Sequence, residues 1–212
     1  MSDGLFLDQV KIELGARKLL ALTQRVLPGE VLTVMGPSGS GKSTLIAFIA
    51  GFLDPAFTAS GAVTVAGQDI TALPAEDRHA GILFQDPLLF PHMTVGGNLV
   101  FAIPPSVRGR AARRAMAEQA LGGVGLGGLA DRDPDTLSGG QKARVALARV
   151  LVSGPRMLLL DEPFSKLDAE LRHQMRELVF AKARDSALPV VLVTHDAADA
   201  EAAGGPIVRV GA

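Results

Sequence analysis

Residues 36 to 43 read Gly36-Pro37-Ser38-Gly39-Ser40-Gly41-Lys42-Ser43 and fit the pattern G-x-x-x-x-G-K-[ST]. Glycines let backbone N–H groups converge on phosphate oxygens, with no Cβ in the way. A helix starting behind such a loop adds a fixed partial positive charge. Lys42 can reach the β- and γ-phosphates of a nucleotide, and the Ser43 hydroxyl can ligate Mg2+. Thr44 closes the loop. A second group lies at Asp161-Glu162, behind the apolar run Met157 to Leu160. That places Asp161 at the carboxyl end of a buried strand, where open α/β sheets bind ligands. Asp161 can hold Mg2+ through water. Glu162 follows on turning backbone and points elsewhere, as a general base polarising an attacking water should. An isolated Asp-Glu after a strand is often a helix cap; the loop upstream favours the chemical reading.

A third group is Leu137-Ser138-Gly139-Gly140-Gln141, followed by Lys142 to Arg149. Ser138 is a helix cap and the glycines leave N–H groups bare. Val145, Ala148, Leu151 and Val152 form the apolar face behind it. This is a second anion-seeking helix start, about a hundred residues from the first. One loop already covers the phosphates, so the second suggests a neighbour's nucleotide.

These groups need elements to hold them. Leu5, Leu7, Val10, Ile12 and Leu14 alternate with polar residues as half-buried strands do. Val31 to Met35, Ile82 to Phe84, Met157 to Leu160 and Val190 to Val193 are short apolar runs, typical of strands covered on both faces. Leu45 to Gly51 predicts a helix. Val63 to Val65 predicts a short antiparallel strand after a turn at Gly61. Leu171, Met175, Leu178, Val179 and Lys182 share one helix face. From Pro87 to Gly154 the composition shifts to Ala, Gly and Arg at helical spacing. Strands alternating with helices imply a parallel α/β sheet.

Composition narrows the classes. There are 212 residues, 24 Gly and 13 Pro, below the share that marks low-complexity disorder. Lys and Arg number 21 against 22 Asp and Glu, so no bulk charge advertises nucleic acid or an anionic membrane. The chain has no Cys, which excludes disulfides, thiolate zinc sites, iron–sulfur clusters and a Cys nucleophile. The first residues carry no basic-then-apolar leader pattern. No apolar run approaches the ~18–20 residues of a membrane span. Mean hydropathy is +0.29, read as buried parallel strands plus some sticky partner surface.

Taken in order, the motifs resemble those of the ATP-binding cassette (ABC) ATPases over nearly the whole chain. Gly36 to Thr44 looks like the Walker A loop and Gln85 like the Q-loop glutamine. Leu137 to Gln141 resembles the signature motif. Leu158 to Glu162 resembles Walker B with its catalytic glutamate. Ser165-Lys166-Leu167-Asp168 resembles the D-loop, and His195 the switch histidine. Any one of these is weak; six in register are specific. The resemblance implies an α/β fold: a RecA-like P-loop ATPase core with an antiparallel β subdomain and an inserted helical subdomain. Residues 1–86 and 155–212 would form the core lobe and 87–154 the helical lobe, with no C-terminal regulatory domain. It also implies ATP and Mg2+, the metal held by Ser43, Gln85 and Asp161. Catalytic roles fall to Glu162, His195, Lys42 and Gln85, with His195 on the γ-phosphate. A homodimer is expected on ATP binding. Each ATP would lie between one subunit's Walker A loop and the other's Ser138, Gly139, Gly140 and Gln141.

The strings Asp86 to Asn98 and Pro163-Phe164-Ser165 are similar to those of binding-protein-dependent importers. That implies permease subunits in the membrane, an extracytoplasmic solute-binding protein acting through them, and a peripheral place on the inner, cytoplasmic face of the cell membrane. Exporter and lipoprotein-release ATPases usually carry Thr after the Walker B Pro. Repair-type members carry coiled coils or zinc-binding Cys, and translation types carry two cassettes. No nucleic-acid partner is expected: the run Arg108, Arg110, Arg113, Arg114 reads as a solvated helix face. Two departures stand out. No aromatic lies between Phe6 and Phe48 to stack on adenine, which leaves Arg17 or weak base contact. Lys166 also stands where the D-loop usually has a small residue.

Overall fold

The computed structural model describes residues 4–211. They form two compact units, Gly4–Ile82 with Arg156–Glu162 and Phe180–Gly211, and Leu83–Pro155 with Pro163–Val179.

The first unit is built on two sheets. The antiparallel sheet has the order β2-β1-β4-β5, with β1 Leu5–Leu14, β2 Arg17–Val26, β4 Phe57–Val65 and β5 Gln68–Asp69. The parallel sheet has the order β6-β7-β8-β3-β9, with β3 Val31–Met35, β6 Ala80–Leu83, β7 Met157–Asp161, β8 Val190–Thr194 and β9 Ile207–Arg209. Three of the four apolar runs are covered as expected: every residue of β3 and β8 is buried, and four of five in β7, whereas β6 is half-buried and Phe84 lies beyond its end, exposed. Helix α1 (Lys42–Ala50) shares one apolar core with both sheets, through Leu45, Ile46 and Ile49. Helix α6 (Ala197–Ala203) follows β8.

Two local expectations are corrected. Gly61 makes no turn; β4 runs straight through it. β1 bulges at Asp8 and Gln9, and a Cβ on Gly61 would lie 2.5 Å from the Gln9 carbonyl oxygen. The glycine makes room for the bulge. Helix α1 begins at Lys42, three residues before Leu45, because Gly41 supplies the left-handed turn (φ 89°) that starts it. Sequence periodicity missed β2, which opens on exposed polar residues, and β9, which is only three residues long.

The second unit packs α2 (Val95–Ala102), α3 (Arg110–Gly122) and α4 (Gly139–Val152) on one another, with Leu99, Leu121 and Val145 fully buried between them. It reaches beyond residues 87–154. Phe164, Met175 and Val179 are buried and line a cleft with Ala143 and Ala146 of α4. Met175 and Val179 belong to α5 (Ala169–Asp185), whose end falls in the first unit. The basic run is not a plain solvated face. Arg113 donates to the carbonyl oxygens of Val100, Ile103, Pro104 and Val107 at 2.7–3.1 Å, tying off the end of α2. Its neighbour Arg114 pairs with Asp131 at 2.7 Å.

Candidate functional site

The phosphate loop joins β3 to α1 in the first unit. α1 starts on a left-handed Gly41 with no side-chain cap, so the first-turn N–H groups are left for another acceptor. A Cβ on Gly39 would meet nothing within 4 Å, so the loop's crest is open. Its base is tight: a Cβ on Gly36 would lie 2.4 Å from the Val210 carbonyl oxygen. Lys42 is 5% exposed, and its Nζ donates to the Gly36 and Pro37 carbonyls at 2.8 and 2.9 Å. The loop thus holds its own ammonium group inside the curve where phosphate oxygens are expected. Ser40 is buried beneath it.

Residues far apart in sequence meet beside this loop. The Ser43 hydroxyl donates to Asp161 Oδ1 at 2.8 Å, across 118 positions. Burial pushes the Asp161 carboxyl above the usual range; the Ser43 hydrogen bond works against that, and the Glu162 charge adds to it. Glu162 adopts left-handed backbone (φ 46°), while its N–H donates to the Val193 carbonyl at 3.0 Å. For a side chain with a Cβ this conformation costs on the order of 1 kcal/mol. It turns Glu162 away from Asp161 and into the cleft of about 170 Å³ that it shares with Ser38, Gly39 and residues 41–44. His195 follows β8, and its Nδ1 lies 3.2 Å from Glu162 Oε2. The structure therefore brings Lys42, Ser43, Asp161, Glu162 and His195 together.

An uncapped helix start, an inward lysine and an oxygen pair fit a nucleotide polyphosphate with Mg2+. A hard cation takes oxygen ligands, commonly one or two from protein and the rest from phosphate and water.

The other candidates lie in the second unit. Ser138 and Gln141 close a capping box: Ser138 Oγ accepts from Gln141 N–H at 3.3 Å and Gln141 Oε1 from Ser138 N–H at 3.0 Å. The Gln141 side chain thus serves the helix itself. The two glycines differ. Gly139 is open, whereas a Cβ on Gly140 would lie 2.4 Å from a Leu171 methyl, so Gly140 is needed for packing on α5. Ser138, Gly139, Lys166 and Asp168 border a cleft of about 610 Å³. Gln85 is exposed just after β6. Asn98, in the Gln85 to Asn98 string but given no role, is fully buried and stitches the segment after Gln85: it accepts from Phe90 N–H and donates to the Phe90 and Thr94 carbonyls. An asparagine amid apolar helix residues is the signal that could have found it. Arg17 is exposed, paired across the β1–β2 hairpin with Leu14.

A mixed α/β fold with an uncapped, lysine-bearing phosphate loop beside a strand-end Asp-Glu pair defines a P-loop ATPase. Residues 19–165 match the family model described as ABC transporter, and the chain belongs to that family as an ATP-binding subunit. It is 48% identical over 187 residues to the uncharacterised ABC transporter ATP-binding protein YnjD of Escherichia coli, covering 88% of this chain and 86% of that one. It is 42% identical to the thiamine import ATP-binding protein ThiQ of a Jannaschia species, over 93% of this chain and 84% of that protein. The Fe(3+) ions import ATP-binding protein FbpC of Rhizobium etli is 42% identical over 88% of this chain, which spans about half of that relative. Among solved structures, the ATP-binding cassette MJ0796, a dimer in a post-hydrolysis state bound to ADP and Pi, superposes with a TM-score of 0.77 at 29% identity, over 97% of this chain and 94% of that one.

Proposed function

We propose that this chain hydrolyses ATP to drive solute import through membrane permease subunits. The carrying observation is the cleft lined by Lys42, Ser43 and Glu162, with Asp161 bonded to Ser43 and His195 beside Glu162. The thiamine and iron import relatives support the direction of transport. Among the described residues no helix is long and apolar enough to cross a membrane, so attachment would run through the permease. When bound, Mg2+ offsets charge on the β- and γ-phosphates, and Ser43 and Asp161 would hold it. Lys42 would leave its loop carbonyls for phosphate oxygens. Glu162 would take a proton from the attacking water, steadied by His195. A second copy would close the site with its Ser138 and Gly139, and Gln85 would report nucleotide state to the permease.

Asp161→Asn tests the metal role. Asp161 titrates above its unfolded value, so its ionised form costs stability at neutral pH, and the cost lifts as pH falls through the raised pKa. The asparagine removes that cost. The variant is expected to melt at or above the wild-type temperature at pH 7 and to lose the Mg2+-dependent part of its ATP affinity. Unchanged Mg2+ dependence in a titration would overturn the assignment.

Permease docking has its own test. The segment after Gln85 carries Leu88, Leu89, Phe90 and Met93, apolar residues that could receive a short permease helix. Phe90 is half-buried, edge-on to Phe101 at 5.1 Å and beneath the Arg149 guanidinium at 5.5 Å. Leu88 and Phe101 are 57% and 65% exposed. They, more than Phe90, would make the contact. Phe101→Asp is expected to leave folding and basal ATPase intact and to weaken co-purification with the permease at least tenfold. Retained co-purification would sink this placement.

A further inference from the structure

We propose that Lys166 and Asp86 form a strut that carries movement of the permease-facing segment to the rim of the Ser138 cleft. The inference rests on the function proposed above. Lys166 Nζ lies 2.6 Å from Asp86 Oδ1. Asp86 follows Gln85 directly. Lys166 borders the cleft at the start of α4, together with Ser138 and Gly139.

Each end of the pair is anchored by its own contacts. Arg149 holds the Asp86 side by donating to the Pro87 and Leu88 carbonyls at 3.0 and 2.7 Å. Burial lowers the pKa of that guanidinium, yet an arginine stays charged at any working pH. Leu88 sits there in left-handed backbone (φ 47°), a conformation kept only where neighbours enforce it. On the Lys166 side, Arg172 donates to the Phe164 and Leu167 carbonyls, and Asp168 Oδ1 accepts from Leu171 N–H at 2.9 Å. The ion pair therefore joins two ordered backbone pieces, at the cost of rotamer freedom in the two side chains. Both side chains are more than half exposed, 51% and 58%. An exposed pair adds little to global stability. Its value lies in register: if the segment bearing Leu88 shifts, Lys166 is drawn with it, and so is the wall facing Ser138. A small residue at position 166 could make no such link.

The test compares full-length wild type, Lys166→Ala, Asp86→Ala, the double alanine variant and the charge swap Asp86→Lys/Lys166→Asp. All should melt close to wild type. Each single alanine is expected to lower kcat about 2–5-fold, with KM for ATP little changed. The double variant should be no slower than either single, and the swap should recover most of the loss. Wild-type turnover in the singles, additive losses, or a swap as slow as the singles would each overturn the strut. Hydrogen exchange gives an arm that needs no turnover: Lys166→Ala should speed exchange across residues 85–90, and unchanged exchange there overturns the proposal. If wild type itself hydrolyses no ATP, the function proposed above fails, and the exchange arm alone decides the link.

Discussion

Glu162→Gln is expected to cut ATP turnover by about 10²–10⁴-fold, the range a positioned general base supplies. The substitution keeps the side chain's size and the backbone donor to Val193. It can still meet His195, now as an uncharged partner. What it loses is the ability to accept a proton from water. Nucleotide binding should persist, because Lys42, Ser43 and Asp161 are untouched. A site that binds ATP without consuming it favours whatever assembly ATP stabilises, by mass action. The variant should therefore run as a dimer with ATP and as a monomer without it, read by light scattering. Phosphate release decides the chemistry: near-normal hydrolysis removes Glu162 from the base role. Loss of ATP binding together with turnover would show that the left-handed backbone at 162 had been disturbed instead.

How much of this could be read from sequence depends on the kind of constraint. The buried strands were legible because a strand covered on both faces is apolar along nearly its whole length: β3, β7 and β8 each carry a single polar residue, Thr33, Asp161 and Thr194. The phosphate loop was legible because only glycine serves at Gly41, whose positive φ starts α1. β2 was missed because its first residues are polar and exposed, and only Leu20, Leu22 and Val26 turn fully inward. Backbone strain at Glu162 carries no local signal; any acidic residue after a strand looks the same on the page. Nor could spacing say that Ser43 would meet Asp161, since their approach is set by where two strands end in one sheet. Lys166 stood out as a departure, but nothing in the string from Asp86 to Asn98 marked Asp86 as its partner. Long-range pairing of exposed charges leaves no periodicity to find. The same blindness covered Arg113, read as part of a wet face and found tying off a helix.

The same reason hid Arg78, whose replacement should have the largest effect on stability. Arg78→Ala is expected to destabilise the protein by about 3–5 kcal/mol, a large part of the ~5–15 kcal/mol that holds a domain folded. Arg78 is 6% exposed. Its guanidinium donates to the carbonyls of Phe48 and Ile49 at 2.9 and 3.0 Å, Thr71 at 2.6 Å and Leu73 at 2.8 Å. The first two close α1, where carbonyl groups have no partner in the helix. Gly51 makes the approach possible: a Cβ there would lie 2.5 Å from Arg78 Nε. Burial lowers the Arg78 pKa and the Asp69 charge offsets part of that, but the group remains a cation. Alanine leaves the buried Ile49 carbonyl and the part-buried Thr71 and Leu73 carbonyls without the guanidinium, while the Phe48 carbonyl keeps only the Gly51 N–H at 3.2 Å. Lysine has three donors in place of a planar fork and should recover only part of the loss. For a chain of this length the alanine variant should melt roughly 10 °C lower, at about 2–4 °C per kcal/mol. Because α1 carries the phosphate loop at its other end, ATP should still raise the variant's melting temperature if the loop is intact. A melting temperature within about 2 °C of wild type would mean that water replaces the guanidinium at little cost, and that the end of α1 does not depend on it.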